Sequence, residues 1–145
     1  MACPYFLPSE KRDDLLWPHP ARLPLGSGFG GSCCAAGHEG EQLRDDELKS
    51  NCNIGYARNC PRLPAERAAD AVRYAVALES DGRLVISWCA ERDHAPAAHG
   101  RVDYDCAAHR LAHADLPLPG MARQVERFVA TYLERRPRTA TLSNA

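Results

Sequence analysis

Seven cysteines punctuate this 145-residue chain, and four of them, Cys3, Cys33, Cys52 and Cys60, fall in a first part crowded with proline and glycine. Cysteine thiolates hold iron-sulfur clusters and structural zinc. The intervals between the four contain 29, 18 and seven residues, so the ligands would arrive from separate segments and converge on one inorganic centre. Zinc ribbons and fingers pair their ligands as C-x2-C, a spacing that these four lack. Iron-sulfur clusters tolerate scattered ligands, and in one ferredoxin pattern proline directly follows a ligand cysteine. Cys3-Pro4 and Cys60-Pro61 share that feature. The spacing therefore points to an iron-sulfur cluster of the four-thiolate [4Fe-4S] type, with Zn2+ as the alternative cofactor and isolated, buried free thiols as the bland reading. Cys33 and Cys34 are adjacent and point in different directions, so one of the two ligates. We take Cys33, with Cys34 and His38 as alternate ligands.

Other constellations carry weaker chemistry. Cys89, Asp93, His94 and His99 place a nucleophile, a carboxylate and two bases in one short window, and a thiol-dependent enzyme would use Cys89 with His94 or His99. Cys106, His109 and His113 have the spacing to bind a second metal if their segment is helical; a turn with surface histidines is the simpler expectation. The stretch Gly26-Ser27-Gly28-Phe29-Gly30-Gly31 resembles a phosphate-cradling loop but lacks the lysine and the strand-loop-helix setting, and it reads as a flexible connector. Arg22, Arg58, Arg62 and Arg67 could pair with acidic groups near the cysteines, although a solvated face is the default.

Elements must bring these residues together. From Met1 to about residue 63 the chain reads as loops broken by Pro4, Pro8, Pro18, Pro20, Pro24 and Pro61, with little apolar material to hold itself. One short helix is expected there, capped by Asp45, carrying Leu48 and Cys52 on one inward face and stopping near Gly55. Cys3 lies close to the chain start, where fraying is expected, so losing a cluster would release that arm. A second short helix is expected to begin at Pro64 and to include Glu66, Arg67 and Ala69. Beyond it Val72, Tyr74, Val76 and Leu78 alternate, Asp81-Gly82 turns the chain, and Leu84, Ile86 and Trp88 alternate again, which is a hairpin signal. A helix from Pro64 to Leu78 is the rival for the first strand. A third, shorter strand is expected over Arg101 to Asp105, after a loop at Pro96 to Gly100.

Met121, Val125, Phe128, Val129, Tyr132 and Leu133 follow helical spacing, with Arg123, Gln124, Glu126, Arg127 and Arg135 assigned to the opposite face. Pro119 and Gly120 open this helix, Pro137 closes it, and residues 139–145 form a mobile tail. The expected fold class is thus α+β: a small antiparallel meander packed by a C-terminal helix over residues 64–138, with a loop-rich cysteine region at 1–63, all in a single domain.

The totals bound the function. Eighteen lysines and arginines against nineteen acids give a net charge of -1, which removes the bulk attraction that nucleic-acid binding requires. The opening MACPYFLPSEKRDD lacks the apolar core of a secretory leader, and nowhere is there an apolar run long enough to span a membrane. The expected compartment is cytoplasmic; there, with an odd number of cysteines, metal ligation is favoured over a disulfide framework. The sequence-level expectation is a small iron-sulfur protein in electron transfer or redox sensing, meeting a protein redox or regulatory partner. A zinc-stabilised interaction module and the Cys89 enzyme are the alternatives.

Overall fold

In a computed structural model, described here for residues 1–57, 60–112 and 115–136, the chain forms two antiparallel sheets and a C-terminal helix. Strands β1 (Phe6–Lys11), β2 (Phe29–Cys33) and β3 (Glu41–Gln42) make the smaller sheet, and a short helix α1 (Asp45–Glu47) runs into a π-helical turn, Leu48–Cys52. Strands β4 (Ala71–Ser80), β5 (Arg83–Arg92), β6 (Ala95–Asp105) and β7 (Arg110–Leu111) form a meander in that spatial order. Helix α2 (Met121–Arg135) packs against β1.

The meander follows from alternation. Leu84, Ile86, Trp88 and Ala90 of β5 and Val102 and Tyr104 of β6 are buried, while their neighbours face outward, the period-two pattern of a sheet with one wet face. Asp81 and Gly82 both have positive φ, 36° and 77°, as a two-residue type I′ turn demands. Strand pairing of Ala71 through Ser80 with β5 rules out the rival helix.

Several sequence expectations are corrected. The expected loop at Pro96 to Gly100 is part of β6, because Asp93 and His94, at φ 53° and 62°, close a second two-residue turn that starts the strand at Ala95. Pro96 is tolerated because β7 pairs with β6 only at Tyr104 and Asp105, leaving Pro96 at a free edge. No helix forms over residues 64–69; the Arg67 side chain instead folds back onto the Pro64 carbonyl and Asp70, which favours a turn. Asp45 is not the cap of α1. The Arg44 N–H, just outside the helix, donates to Glu47 Oε1 at 3.0 Å.

The first part of the chain is not a set of loops lacking a core. Ala2, Phe6, Leu25, Phe29 and Leu48 join Val72, Leu84, Ile86, Met121, Val125 and Val129 in one buried cluster. The glycines that suggested a connector serve close packing: a Cβ on Gly31 would meet the Leu7 carbonyl at 2.0 Å, and one on Gly28 would enter the Trp17 ring. These absent side chains let β1 and Trp17 lie directly against β2. Nor is the chain start loose. Ala2 exchanges backbone hydrogen bonds of 2.7 and 2.8 Å with Val72, adding an isolated bridge to the edge of β4.

Helix α2 buries Met121, Val125 and Val129 as its spacing predicts, packing mainly against β1 and also on the meander, where Phe128 meets the Tyr74 ring. Gln124, assigned to the outer face, is fully buried. The proposed roles of Arg58 and His113, the helix stop at Pro137 and the 139–145 tail lie outside the described residues. No helix among the described residues is long and apolar enough to cross a membrane.

Candidate metal centre

Four segments deliver the four cysteines to one place. Cys3 follows the Ala2 bridge to β4, Cys33 ends β2, Cys52 ends the π-helical turn, and Cys60 lies in the turn that leads to Leu63. All four line a single recess, together with Tyr5, Phe6, Ala35, Leu43, Asn51, Arg62 and Leu63. Its cavity volume is about 20 Å3.

Backbone hydrogen bonds lock the segments to one another. The Cys3 N–H donates to the Cys52 carbonyl at 3.1 Å, and the Leu63 N–H to the Cys60 carbonyl at 3.2 Å. Phe6 pairs with Cys33 across β1 and β2. Asn53, buried beside Cys52, acts as a substitute strand edge: its Oδ1 accepts the Phe29 N–H at 3.1 Å, and its Nδ2 donates to the carbonyls of Phe29 and Leu48 at 3.0 Å each. The π-helical turn is thereby tied to the start of β2, which fixes Cys52 relative to Cys33.

The local field reflects mutual proximity of the sulfurs. Burial pushes the Cys3 thiol from its ordinary 9.0 up to about 12, with Cys33, Cys60 and Cys34 adding repulsion against a bond from the Tyr5 N–H. Cys52 is raised by burial and then by Cys3, Cys60 and Cys33. Cys33 is raised by burial, opposed by the Ala35 N–H, which lies 3.4 Å from its sulfur. Left to themselves the three are neutral thiols at pH 7. Only a cation among them would make thiolates favourable, with release of protons.

Among the described residues, one positive side chain lines the recess. Arg62 bonds Glu41 at 2.9 Å through Nε and Glu47 through Nη1, and is itself only 16% exposed. Glu47 is held below the usual carboxylate range: burial pushes it up, but the Arg44 N–H and Arg62 outweigh that.

The alternate ligands stand apart. Cys34 is half-buried, donates its N–H to the Tyr5 carbonyl at 2.8 Å, and does not line the recess. His38 lies outside it too, with Nδ1 2.7 Å from Glu41 Oε2. No three of the histidine, cysteine, aspartate and glutamate side chains among the described residues are grouped for a single ion.

Of the remaining candidates, Cys106 and His109 occupy a turn, not a helix, because Asp105 Oδ1 accepts the N–H groups of Ala107 and Ala108 at 2.9 and 3.1 Å. Their segment therefore lacks the helical spacing that a second metal site required. Cys89 faces His99 directly across β5 and β6, whereas Asp93 and His94 sit in the turn at the strand end, where the His94 ring stacks on Tyr56 with centroids 4.2 Å apart. Arg67 pairs with Asp70, away from the recess, and Arg22 is exposed on a 3-10 turn.

Sequence reasoning missed the walls of the recess and two polar anchors, Asn53 and Gln124. Gln124 had a signal, since it stands three residues after Met121 and one before Val125 and so borders the apolar stripe. Asn53 had none beyond its position next to a cysteine. No family model matches this chain, and no curated protein or solved structure matches it either.

Proposed function

We propose that Cys3, Cys33, Cys52 and Cys60 hold an iron-sulfur cluster, of the [4Fe-4S] type, and that the protein transfers electrons to, or reports redox state to, a protein partner. The observation that carries this reading is the meeting of four thiols from four distant segments in one recess with largely apolar walls. A zinc ion would draw four sulfurs to within about 4 Å of one another, given Zn–S bonds of about 2.3 Å. The four cysteines lack the C-x2-C pairs of zinc folds, and two of them precede proline as in one iron-sulfur pattern, which favours a multinuclear centre.

Three local features suit such a centre. The N–H groups of Tyr5 and Ala35 point at the sulfurs of Cys3 and Cys33, and hydrogen bonds to ligand sulfur help to set cluster potentials. Arg62 offers positive charge to an anionic cluster. Tyr5, Phe6, Leu43 and Leu63 limit access by water.

Metal and sulfide analysis of protein purified without oxygen tests the proposal. Brown protein with about four irons and four sulfides per chain supports it. One zinc without sulfide, or metal-free protein, overturns it.

A further inference from the structure

The outer face of the meander contains a second, chemically distinct hollow. Strand register sets two rows across three strands: Arg73, Cys89 and His99 in one, Ala75, Ser87 and Arg101 in the next. All six line one groove of about 650 Å3, closed at one end by Pro96. The floor is hollow because Ala75, Ser87 and Cys89 are small, while the side chains at its corners are long. Bulges in β4, between Val76 and Leu78, and at the β5–β6 pairing beside Glu91 flank the groove and add local twist.

Its charge is one-sided. Arg73 and Arg101 are exposed, and among the described residues no carboxylate lines the groove and neither arginine makes an ion pair. On a chain of net charge -1, two arginines without ion pairs facing the same hollow concentrate positive charge there. Their Cα atoms are two strand spacings apart and offset by two residues along the strands, about 12 Å, a span that two arginine side chains can bridge around a small ligand. Guanidinium groups recognise the paired oxygens of phosphate with forked hydrogen bonds. His99 and the Ser87 hydroxyl add polar contacts beside them.

We propose that this groove binds a small phosphate-bearing molecule, with Arg73 and Arg101 gripping its phosphoryl oxygens above the Cys89 thiol. The net charge of the chain argues against a nucleic-acid strand as occupant.

The test uses the intact protein and inorganic pyrophosphate at constant ionic strength. Calorimetry follows binding, and peptide mapping follows the alkylation of each cysteine. The expected result is saturable one-to-one binding that slows alkylation of Cys89 by about tenfold and leaves Cys106, in the turn after β6, unchanged. Arg73→Gln and Arg101→Gln, both exposed and on separate strands, should each weaken binding on the order of tenfold with unaltered melting temperature. Absence of saturable heat, equal slowing at Cys89 and Cys106, or wild-type affinity in both arginine variants would overturn the assignment.

Discussion

Gln124, fully buried on helix α2, donates from Nε2 to the Cys3 carbonyl at 2.7 Å and to the Phe6 carbonyl at 2.9 Å, while its Oε1 accepts the Tyr74 hydroxyl at 2.8 Å. One amide thus joins the C-terminal helix, the meander and the backbone of the first proposed ligand. Replacing it with leucine would leave the Tyr74 hydroxyl and the Phe6 carbonyl without this partner and the Cys3 carbonyl with only the Phe6 N–H, at about 1–3 kcal/mol for each buried group left unsatisfied. Gln124→Leu should therefore lower the melting temperature and also reduce iron content, although residue 124 touches no cysteine sulfur. Iron assay alongside thermal melting checks both; a destabilised variant with full iron would show that the clamp does not position Cys3.

The two adjacent cysteines separate ligand from bystander. Cys33 lines the recess and Cys34 does not. Cys33→Ser should lose most of the iron and sulfide, as should Cys3→Ser, Cys52→Ser and Cys60→Ser, because a hydroxyl is a poor substitute for a thiolate ligand. Cys34→Ser should keep them. Equal loss in Cys33→Ser and Cys34→Ser, measured on anaerobically purified material, would remove the distinction.

Arg62 predicts a potential. Its positive charge beside the recess favours the more negative, reduced state of a cluster. Arg62→Gln removes that charge and leaves Glu41 and Glu47 uncompensated, so the midpoint should move to a more negative value by roughly tens of millivolts. Redox titration followed by absorbance reads the shift, and an unchanged or more positive midpoint contradicts the placement.

The parts of the fold that were readable from sequence are those governed by local periodicity. Leu84, Ile86 and Trp88 announce a strand, Asp81-Gly82 announces its turn, and the stripe from Met121 to Leu133 announces a helix. The smaller sheet was hidden because its strands are built from close backbone approach: Gly30 and Gly31 look like flexibility in sequence and are tight packing in space. The Asp93-His94 turn was missed because neither residue is the glycine or asparagine that usually marks positive φ. For the site, the choice of cysteines rested on residue type and spacing, whereas the surrounding anchors depend on long-range pairing such as Asn53 with Phe29, for which a single sequence carries no register.

Gly120 meets the chain beside the proposed ligands through sterics alone. Its φ is −80°, which any residue adopts, yet a Cβ there would come within 2.7 Å of the Pro4 carbonyl and 2.9 Å of the Phe6 carbonyl. Gly120→Ala must push α2 away from the Cys3 to Phe6 segment, at about 1–3 kcal/mol for overpacking. The same displacement should strain the Gln124 hydrogen bonds, so iron content is expected to fall together with stability. A crystal structure or melting curve indistinguishable from wild type would show that the contact relaxes freely.

Asp70 gives the fold a definite response to acid. Burial works to raise its pKa, but the Asp93 N–H, at 2.8 Å from Oδ2, and the Arg67 guanidinium hold it below the ordinary 3.8. A carboxyl depressed in the folded state contributes stability in full above its unfolded value, and that contribution drains away as pH falls through the folded value. Asp70→Asn should therefore be less stable than wild type at neutral pH, because the asparagine amide can still accept from Asp93 but cannot pair with the Arg67 charge. The gap between the two proteins should narrow as the pH drops below 3.8, where the unfolded chain takes up the proton first, and level off once the folded carboxyl is protonated too. Denaturant unfolding of both proteins across that range measures the difference directly. A gap that stays constant with pH would mean that the ionised carboxylate contributes nothing beyond its hydrogen bond to Asp93.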